Sequence, residues 1–331
     1  MPLPVQIPVN LKRKIQSITG AGSITGIERI QNLWSGYGEI LKVSLEGCPH
    51  DSVIVKDIRL SPVSRHPRGW NSDISHQRKL KSYSVECHWY EHWNDKCAHA
   101  PRLPRFIGCD QSDLETILIL EDLDAAEFPV RHTSLFPEQV KACLQWLARF
   151  HACFLGFSPD GLWKTGTYWH LETRPLELEN LKDDKLRNAA SRIDRKLNSG
   201  RYQTLVHGDA KIANFCFSEA GNEVAGVDFQ YVGGGCGMKD LAYFIGSCLD
   251  EKECERQEES LLDAYFAFLK KALTRHRPDI ASESVEDEWR SLYPFAWADF
   301  HRFLKGWSPD HWKINGYGEN LVRETLKLID S

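Results

Sequence analysis

A cluster of polar residues after a short apolar segment has the composition that phosphoryl transfer needs. Residues 206–214 read V-H-G-D-A-K-I-A-N, and Asp228 follows in the sequence V-D-F-Q after a predicted short hairpin. Transfer of a γ-phosphate requires a group that accepts the proton of the attacking hydroxyl, oxygen ligands for Mg²⁺, and positive charge near the phosphates. Asp209 is the candidate base. Asn214, through its amide oxygen, and Asp228 are the candidate Mg²⁺ ligands, because Mg²⁺ favours hard oxygen donors.

Two further residues of the same segment have more than one interpretation. The ammonium of Lys211 could reach the γ-phosphate and offset charge in the transition state, but a solvated loop lysine explains the residue equally well. His207 is predicted to brace the loop through hydrogen bonds to the backbone rather than to act as a base.

The candidate residues for the positive charge near the phosphates lie in the N-terminal half of the chain. Lys56 lies on a predicted β-branched strand, and Glu86 lies on the helix predicted after it. A lysine that contacts the α- and β-phosphates must be held in place, and a glutamate on a helix can hold it through an ion pair. Gly36 and Gly38 belong to a Ser-Gly-Tyr-Gly turn whose backbone amides could cover the phosphates, although a plain tight turn fits as well.

The pattern of apolar residues predicts a strand-rich first half and a helix-rich second half, with a boundary near residue 123. We therefore expect an N-terminal nucleotide-binding lobe over 1–123, a C-terminal catalytic and substrate-binding lobe over 124–331, and a cleft between them. The predicted strands are 24–33, 39–45, 52–56, 116–120, 204–206 and 224–227, with an exposed loop over 59–80. The predicted helices are 81–96, 137–155, 180–197, 240–250, 256–275, 285–304 and 317–329.

Composition and charge exclude some classes of protein. The chain has 42% hydrophobic and 26% charged residues and a net charge of −5, so a nucleic acid or an acidic membrane is not an expected partner. Neither a signal peptide nor an apolar run long enough to span a membrane is evident, and we expect a cytoplasmic protein. The ten cysteines include no C-x-x-C spacing, so we expect reduced structural cysteines rather than disulfides or a zinc site.

The motifs H-G-D-A-K-I-A-N, D-F-Q and D-L-A-Y-F resemble the aminoglycoside phosphotransferase and choline kinase family, a branch of the protein-kinase-like fold. V-E-C-H-W-Y around Glu86 and the segment L-E-D-L most resemble its ecdysteroid-kinase-like subgroup, and the similarity covers about residues 30–250. The resemblance implies an α+β fold with a small N-terminal lobe of antiparallel sheet plus helix and a larger, mainly helical C-terminal lobe. It also implies ATP and Mg²⁺ as cofactors and a small-molecule hydroxyl as acceptor.

The same resemblance assigns roles to individual residues. It implies that Asp209 is the base and that Asn214 and Asp228 bind Mg²⁺. It also implies that Lys56, together with Glu86, positions the phosphates. It also implies that the backbone from Glu121 to Leu123 binds adenine. Asp240 would support the catalytic loop in that family, although the residues alone favour a helix N-cap.

Departures from the family pattern bear on the acceptor. Gln230 stands where protein kinases have glycine, and the segment 231–237 is short before the next predicted helix. This leaves little room for a long activation loop and disfavours a protein kinase. The run Gly233–Gly237 lacks the G-x-G-x-x-G spacing of a dinucleotide-binding loop.

The C-terminal region is rich in aromatic residues, which favours an apolar or ring-bearing alcohol as acceptor. Trp297 is a candidate substrate contact, but its helical spacing with Phe300 and Leu304 favours the core. Asp299 could bind a polar or cationic acceptor, and a solvated helix face explains it as well.

Three other functions remain open at this point. The protein could be a nucleotide-binding regulator with little transfer activity, a protein kinase, or a metallohydrolase that uses His207 and Asp209.

Overall fold

The structure is a computed structural model that describes residues 6–33, 36–59, 73–96, 101–112 and 114–330. These residues group into two compact units. Of the described residues, those up to 96 and those of 103–129 form the N-terminal unit, and 101–102 with those from 130 onward form the C-terminal unit. The division thus falls six residues beyond the boundary predicted at 123.

The N-terminal unit is built on an antiparallel sheet in the order β1-β2-β3-β5-β4. Alternate residues Leu41, Val43 and Leu45 of β2 are buried, as expected for a strand with one face on a core. Helix α1, which the sequence analysis did not predict, packs Leu11 and Ile15 into the same apolar cluster. The elements are α1 Val9–Thr19, β1 Ser23–Asn32, β2 Gly38–Glu46, β3 Ser52–Arg59, α2 Asp73–His92, β4 Phe106–Gln111 and β5 Glu115–Glu121.

Helix α2 corrects the prediction for residues 73–96. The helix begins at Asp73, inside the segment predicted as a loop, and ends at His92. Residues 74–81 are exposed or half-buried, so the first half of the helix carries no apolar periodicity that would reveal it. Residues 60–72 of the predicted loop lie outside the described residues, as does Ser35 of the predicted glycine turn.

The C-terminal unit is mainly helical and contains three-residue strands around the H-G-D segment. Strand β6 pairs with β9, which is formed by the glycine run, and β7 pairs with β8 as the predicted short hairpin. The elements are α3 Pro137–Cys153, α4 Pro175–Glu179, α5 Asp184–Asn198, β6 Thr204–Val206, β7 Phe215–Phe217, β8 Val224–Gly226, β9 Gly233–Gly235, α6 Met238–Cys248, α7 Glu251–His276, α8 Ser282–Trp307 and α9 Gly316–Asp330.

Helix α3 begins at Pro137, as predicted, whereas the starts of α5 and α7 differ from the predicted ones. Helix α7 begins five residues before the predicted start at 256 because Asp250 and Glu253 form a capping box. Helices α1 and α4 and strands β4 and β9 were missed; α4 has only five residues and β9 only three, whereas α1 does carry Leu11 and Ile15 at helical spacing.

Two expectations from composition can be compared with the structure. Cys153 is disulfide-bonded, which corrects the expectation of reduced cysteines at this residue, whereas other described cysteines, such as Cys143 and Cys216, are free and buried. Among the described residues, no helix is long and apolar enough to cross a membrane.

Candidate active site

Asp209 is buried and its carboxylate is held on both oxygens. Oδ1 accepts a hydrogen bond from the Tyr243 hydroxyl at 3.0 Å. Oδ2 accepts from the Lys211 ammonium at 2.9 Å and from the Asn214 amide at 3.2 Å. The same amide donates to the Asp209 carbonyl at 2.8 Å, so the side chain of Asn214 closes the loop 209–214 on itself.

Gly208 and Asp240 fix the backbone that presents Asp209. Gly208 has a φ of +80°, and a Cβ there would lie 2.2 Å from the Tyr231 carbonyl oxygen, so only glycine fits. The Asp240 carboxylate accepts from the backbone N–H groups of His207 at 2.5 Å and Gly208 at 2.9 Å. His151 lies 3.1 Å from the same carboxylate.

The favoured interpretation of Asp240 as a helix N-cap is therefore wrong. The N-cap of α6 is Gly237, and Asp240 lies in the first turn of that helix. Its carboxylate is fully buried and directed at the loop that carries Asp209. Backbone N–H groups are the donors that a buried carboxylate needs, so Asp240 supports the loop, as the family resemblance implied.

His207 braces the loop, as predicted. Its Nδ1 accepts a hydrogen bond from the Asp209 N–H at 3.2 Å. This leaves the proton on Nε2, which donates to the Val227 carbonyl at 3.0 Å. The ring is completely buried, and both ring nitrogens are used by the backbone.

Lys211 combines features of both predicted interpretations. Its side chain keeps 39% of its surface exposed while forming an ion pair with Asp209. Burial lowers the pKa of Lys211, but the Asp209 carboxylate outweighs this and raises the pKa above its ordinary value. The residue therefore places a permanent positive charge beside the candidate base.

Tyr243 was missed in the sequence analysis. Burial, together with the neighbouring Asp209 carboxylate, raises the pKa of its hydroxyl well above the ordinary value, so it stays a protonated donor to Asp209. Tyr243 and Asp240 are three residues apart on α6 and hence on one helix face. That spacing within D-L-A-Y-F was the available signal.

Asn214 and Asp228 lie on neighbouring chain segments. The N–H of Val227 donates to the Asn214 carbonyl at 3.0 Å. Asp228 has a φ of +70°, which is uncommon outside glycine and is tolerated best by Asn and Asp. Its Oδ1 accepts a hydrogen bond from the Gln230 amide at 2.6 Å. Gln230, which stands where protein kinases have glycine, therefore orients the Asp228 carboxylate.

The donors at these two positions suit Mg²⁺. An amide oxygen and a carboxylate are hard ligands, and Mg²⁺ is commonly held by one or two such groups together with phosphate and water. Among the described residues, no group of three or more His, Cys, Asp and Glu could hold a metal ion. A zinc- or iron-type site built on His207 and Asp209 gains no support, because both nitrogens of the His207 ring and both oxygens of the Asp209 carboxylate already form hydrogen bonds within the protein.

In the N-terminal unit, Lys56 and Glu86 form the ion pair predicted from the sequence. The Lys56 ammonium on β3 lies 2.9 and 2.7 Å from the two carboxylate oxygens of Glu86 on α2. Both side chains are buried, with 7% and 2% of their surfaces exposed. The ring of Tyr83, one turn before Glu86, lies 6.0 Å from the ammonium.

The glycine turn and the 121–123 segment have well-defined structural roles. A Cβ at Gly38 would lie 1.9 Å from the Asp57 carbonyl, so glycine is required where β2 starts beside β3. The N–H of Gly36 donates to the Leu33 carbonyl. Glu121 binds Arg105 through its side chain, and the Leu123 carbonyl accepts from Phe128. Contacts of these residues with phosphate or adenine remain predictions.

Of the two candidate substrate contacts, Asp299 is not on a solvated face. It is fully buried, and it accepts from Arg302 and from the Trp169 indole. Burial alone would raise the pKa of Asp299, but the Arg302 guanidinium and the Lys239 ammonium hold it below its ordinary value. Trp297 is buried, as the helical spacing favoured, and also lines a small pocket with Phe300 and Lys313.

Comparison with known proteins agrees with the resemblance found in the sequence. Residues 165–277 match the ecdysteroid kinase-like family. The matched segment contains Asp209, Asn214 and Asp228 and does not include Lys56 or Glu86. No curated protein matches the chain.

Solved structures of small-molecule kinases are similar over nearly the whole chain. An amicoumacin kinase in complex with AMP-PNP and Ca²⁺ has a TM-score of 0.57 at 13% identity, covering 98% of this chain and 93% of that one. A microcompartment-associated aminopropanol kinase has a TM-score of 0.50 at 14% identity, covering 98% and 97%. A choline kinase from Cryptosporidium parvum Iowa II has a TM-score of 0.50 at 11% identity, covering 93% and 90%.

These likenesses and the two units together define the fold class. The chain has the α+β, protein-kinase-like fold found in small-molecule kinases, with an antiparallel sheet and helices in the N-terminal unit and a mainly helical C-terminal unit.

Proposed function

We propose that the protein is an ATP- and Mg²⁺-dependent kinase that transfers the γ-phosphate to a hydroxyl group of a small molecule. The observation that carries this proposal is the geometry of Asp209. Its carboxylate is oriented by Tyr243, Lys211 and Asn214 on a loop that Asp240 holds in place. A positioned carboxylate of this kind can orient an attacking hydroxyl and accept its proton.

The remaining roles follow from charge and donor type. Lys211 would offset negative charge as the phosphoryl group is transferred. Asn214 and Asp228 would hold Mg²⁺, which when bound neutralises charge on the phosphates and orients them. Lys56, kept in place by Glu86, would bind the α- and β-phosphates, with adenine on the backbone of 121–123.

The length of chain after Asp228 favours a small acceptor over a protein. Helix α6 begins at Met238, ten residues after Asp228, and three of the residues between them form β9, which pairs with β6. This segment is too short to form the long activation loop that is phosphorylated in protein kinases.

A screen for ADP release tests the proposal. The purified protein would be incubated with Mg-ATP and a panel of uncharged alcohols, hydroxy acids, sugars and aminoglycosides. We expect ADP formation that depends on at least one acceptor and exceeds the rate without acceptor. ATP binding with Mg²⁺ and no consumption of any acceptor would favour a nucleotide-binding regulator instead. Transfer to generic protein substrates, but to no metabolite, would favour a protein kinase.

Replacement of Asp228 tests the metal site. Asp228→Ala is expected to weaken Mg²⁺-dependent ATP binding by at least about 10–100-fold, because even outer-shell changes at metal sites have effects of that size. Titration of a fluorescent ATP analogue at increasing Mg²⁺ concentration would measure it. Glu223→Ala is the matched control, since Glu223 is an exposed acid on the β7–β8 hairpin that precedes Asp228. Unchanged Mg²⁺ dependence in Asp228→Ala would remove Asp228 from the metal site.

A further inference from the structure

Lys313 lies among aromatic rings in the segment between α8 and α9. Its ammonium is 5.2 Å from the ring centre of Tyr243, 5.4 Å from that of Trp312 and 5.8 Å from that of Phe300. These distances are within the range at which the negative face of an aromatic ring attracts a cation. We call the rings of Tyr243, Phe300 and Trp312 around this ammonium the Lys313 cage. Tyr243 and Phe300 are buried, whereas Trp312 is largely exposed, so the cage is open on the side of Trp312.

The Lys313 ammonium makes no hydrogen bond or ion pair within the described part of the chain. The contrast with Lys305, eight residues earlier, is informative. Lys305 forms ion pairs with Asp183 and Glu319, both at 2.9 Å. Lys313 is half-buried and forms no such ion pair, so the three rings are its close contacts, and its three donors are available to another molecule.

Burial changes the titration of this group without removing its charge. It lowers the pKa of Lys313 to about 8, while the thiol of Cys248 and the Asp209 carboxylate act to raise the pKa and Lys211 acts to lower it. A pKa of about 8 means that most Lys313 side chains are ammonium ions at pH 7. The cage therefore holds a cation that belongs to the protein.

Tyr243 connects this cage to the candidate base. One face of its ring is within cation–π distance of Lys313, while its hydroxyl donates to Asp209 Oδ1 at 3.0 Å. All of these residues belong to the C-terminal unit. The Lys313 cage and the candidate base therefore share Tyr243, so a molecule whose hydroxyl is bound at Asp209 would place its neighbouring atoms toward the cage.

We propose that Lys313 fills the aromatic cage beside Asp209 with its own ammonium, and so selects a neutral or anionic alcohol and rejects a cationic one. The inference rests on the proposed function, because it concerns the acceptor of the same site. Aromatic cages commonly recognise quaternary ammonium groups. Here the position of such a group is already taken, and its charge would repel a second cation. The free donors of Lys313 would instead bind an oxygen of the acceptor.

The test uses tetramethylammonium, a cation without a hydroxyl group, so that binding is measured independently of phosphate transfer. Calorimetric titration would compare the wild-type protein with Lys313→Met, which removes the charge but keeps the length of the side chain. We expect Lys313→Met to bind tetramethylammonium at least about tenfold more tightly than wild type, because the vacated rings accept the probe. Lys252→Met, at an exposed lysine of α7, is the matched control and should behave as wild type.

Two additional variants locate the effect. Trp312→Ala in the Lys313→Met background should abolish the gain in affinity, because it removes one ring of the cage. Lys313→Gln provides the same comparison should the methionine variant fail to fold. Equal affinity of wild type and both Lys313 variants for tetramethylammonium, whether measurable or undetectable, would overturn the proposal.

Acceptor preference gives a second readout. Choline and 3,3-dimethylbutan-1-ol have nearly the same shape and differ in charge, and wild type is expected to favour the uncharged alcohol. A preference for choline would overturn the proposal. Failure to phosphorylate any alcohol would count against the proposed kinase activity, and the tetramethylammonium comparison would then decide the role of Lys313 alone.

Discussion

Replacing Asp209 with alanine is expected to lower kcat by about 10²–10⁴-fold while leaving the affinity for ATP nearly unchanged. A positioned acid or base usually contributes a factor of this size, and Asp209 has a second function as the partner of Lys211 and Tyr243. Steady-state rates of ADP release with a saturating acceptor would give kcat, and equilibrium titration of Mg-ATP would give the affinity.

Asp209→Asn is the informative companion to this variant. An amide keeps the size of the side chain and can still contact Tyr243, but it cannot accept a proton. Because the carboxylate is the proposed base, we expect Asp209→Asn to be as inactive as Asp209→Ala. Full activity in either variant would contradict the assignment of Asp209.

Replacing Lys56 with methionine is expected both to impair nucleotide use and to destabilise the protein. Loss of the ammonium should raise the KM for ATP and lower kcat, because the phosphates lose a positive contact. It also leaves the buried Glu86 carboxylate without its partner. Breaking a buried ion pair in this way typically costs about 3–5 kcal/mol in the free energy of unfolding. Chemical denaturation and initial-rate kinetics would measure the two effects separately.

The double replacement Lys56→Met with Glu86→Leu separates function from folding. Removal of both charges and introduction of apolar side chains of similar size is often neutral for stability. We therefore expect the double variant to recover most of the free energy of unfolding while its activity stays low. If activity returned together with stability, the pair would serve the fold only, and Lys56 would have no part in binding phosphate.

The sequence revealed the parts of this arrangement that depend on short-range spacing. H-G-D-x-x-x-x-N places Asp209 and Asn214 on one closed loop, and the order of strand lysine and helix glutamate led to the ion pair of Lys56 and Glu86. The hairpin before Asp228 was likewise readable, because β7 and β8 are local partners.

Features that depend on contacts between distant elements were missed or misread. Asp240 was interpreted as a helix cap because a sequence shows the helix start but not the loop 32 residues earlier that its carboxylate binds. Asp299 was placed on a possible solvated face because polar residues on an amphipathic helix usually face water. Helix α8 is instead buried on several sides over residues 295–304, so its polar residues need buried partners: Asp299 pairs with Arg302, and His301 pairs with Glu319 of α9.

The cage around Lys313 could not be predicted from the sequence, because it too depends on contacts between distant elements. Its rings come from α6, α8 and the segment before α9, and their spacing along the chain carries no periodic signal. Only the fold brings them to one ammonium.

The most direct measurement of the central claim follows the terminal phosphate of ATP. With [γ-³²P]ATP, Mg²⁺ and the best acceptor from the screen, the proposed mechanism predicts that radiolabel appears in the acceptor in equal amount to the ADP formed. Asp209→Asn should abolish this transfer. Formation of ADP matched by free inorganic phosphate, with no label in the acceptor, would contradict the account and identify the protein as something other than a small-molecule kinase.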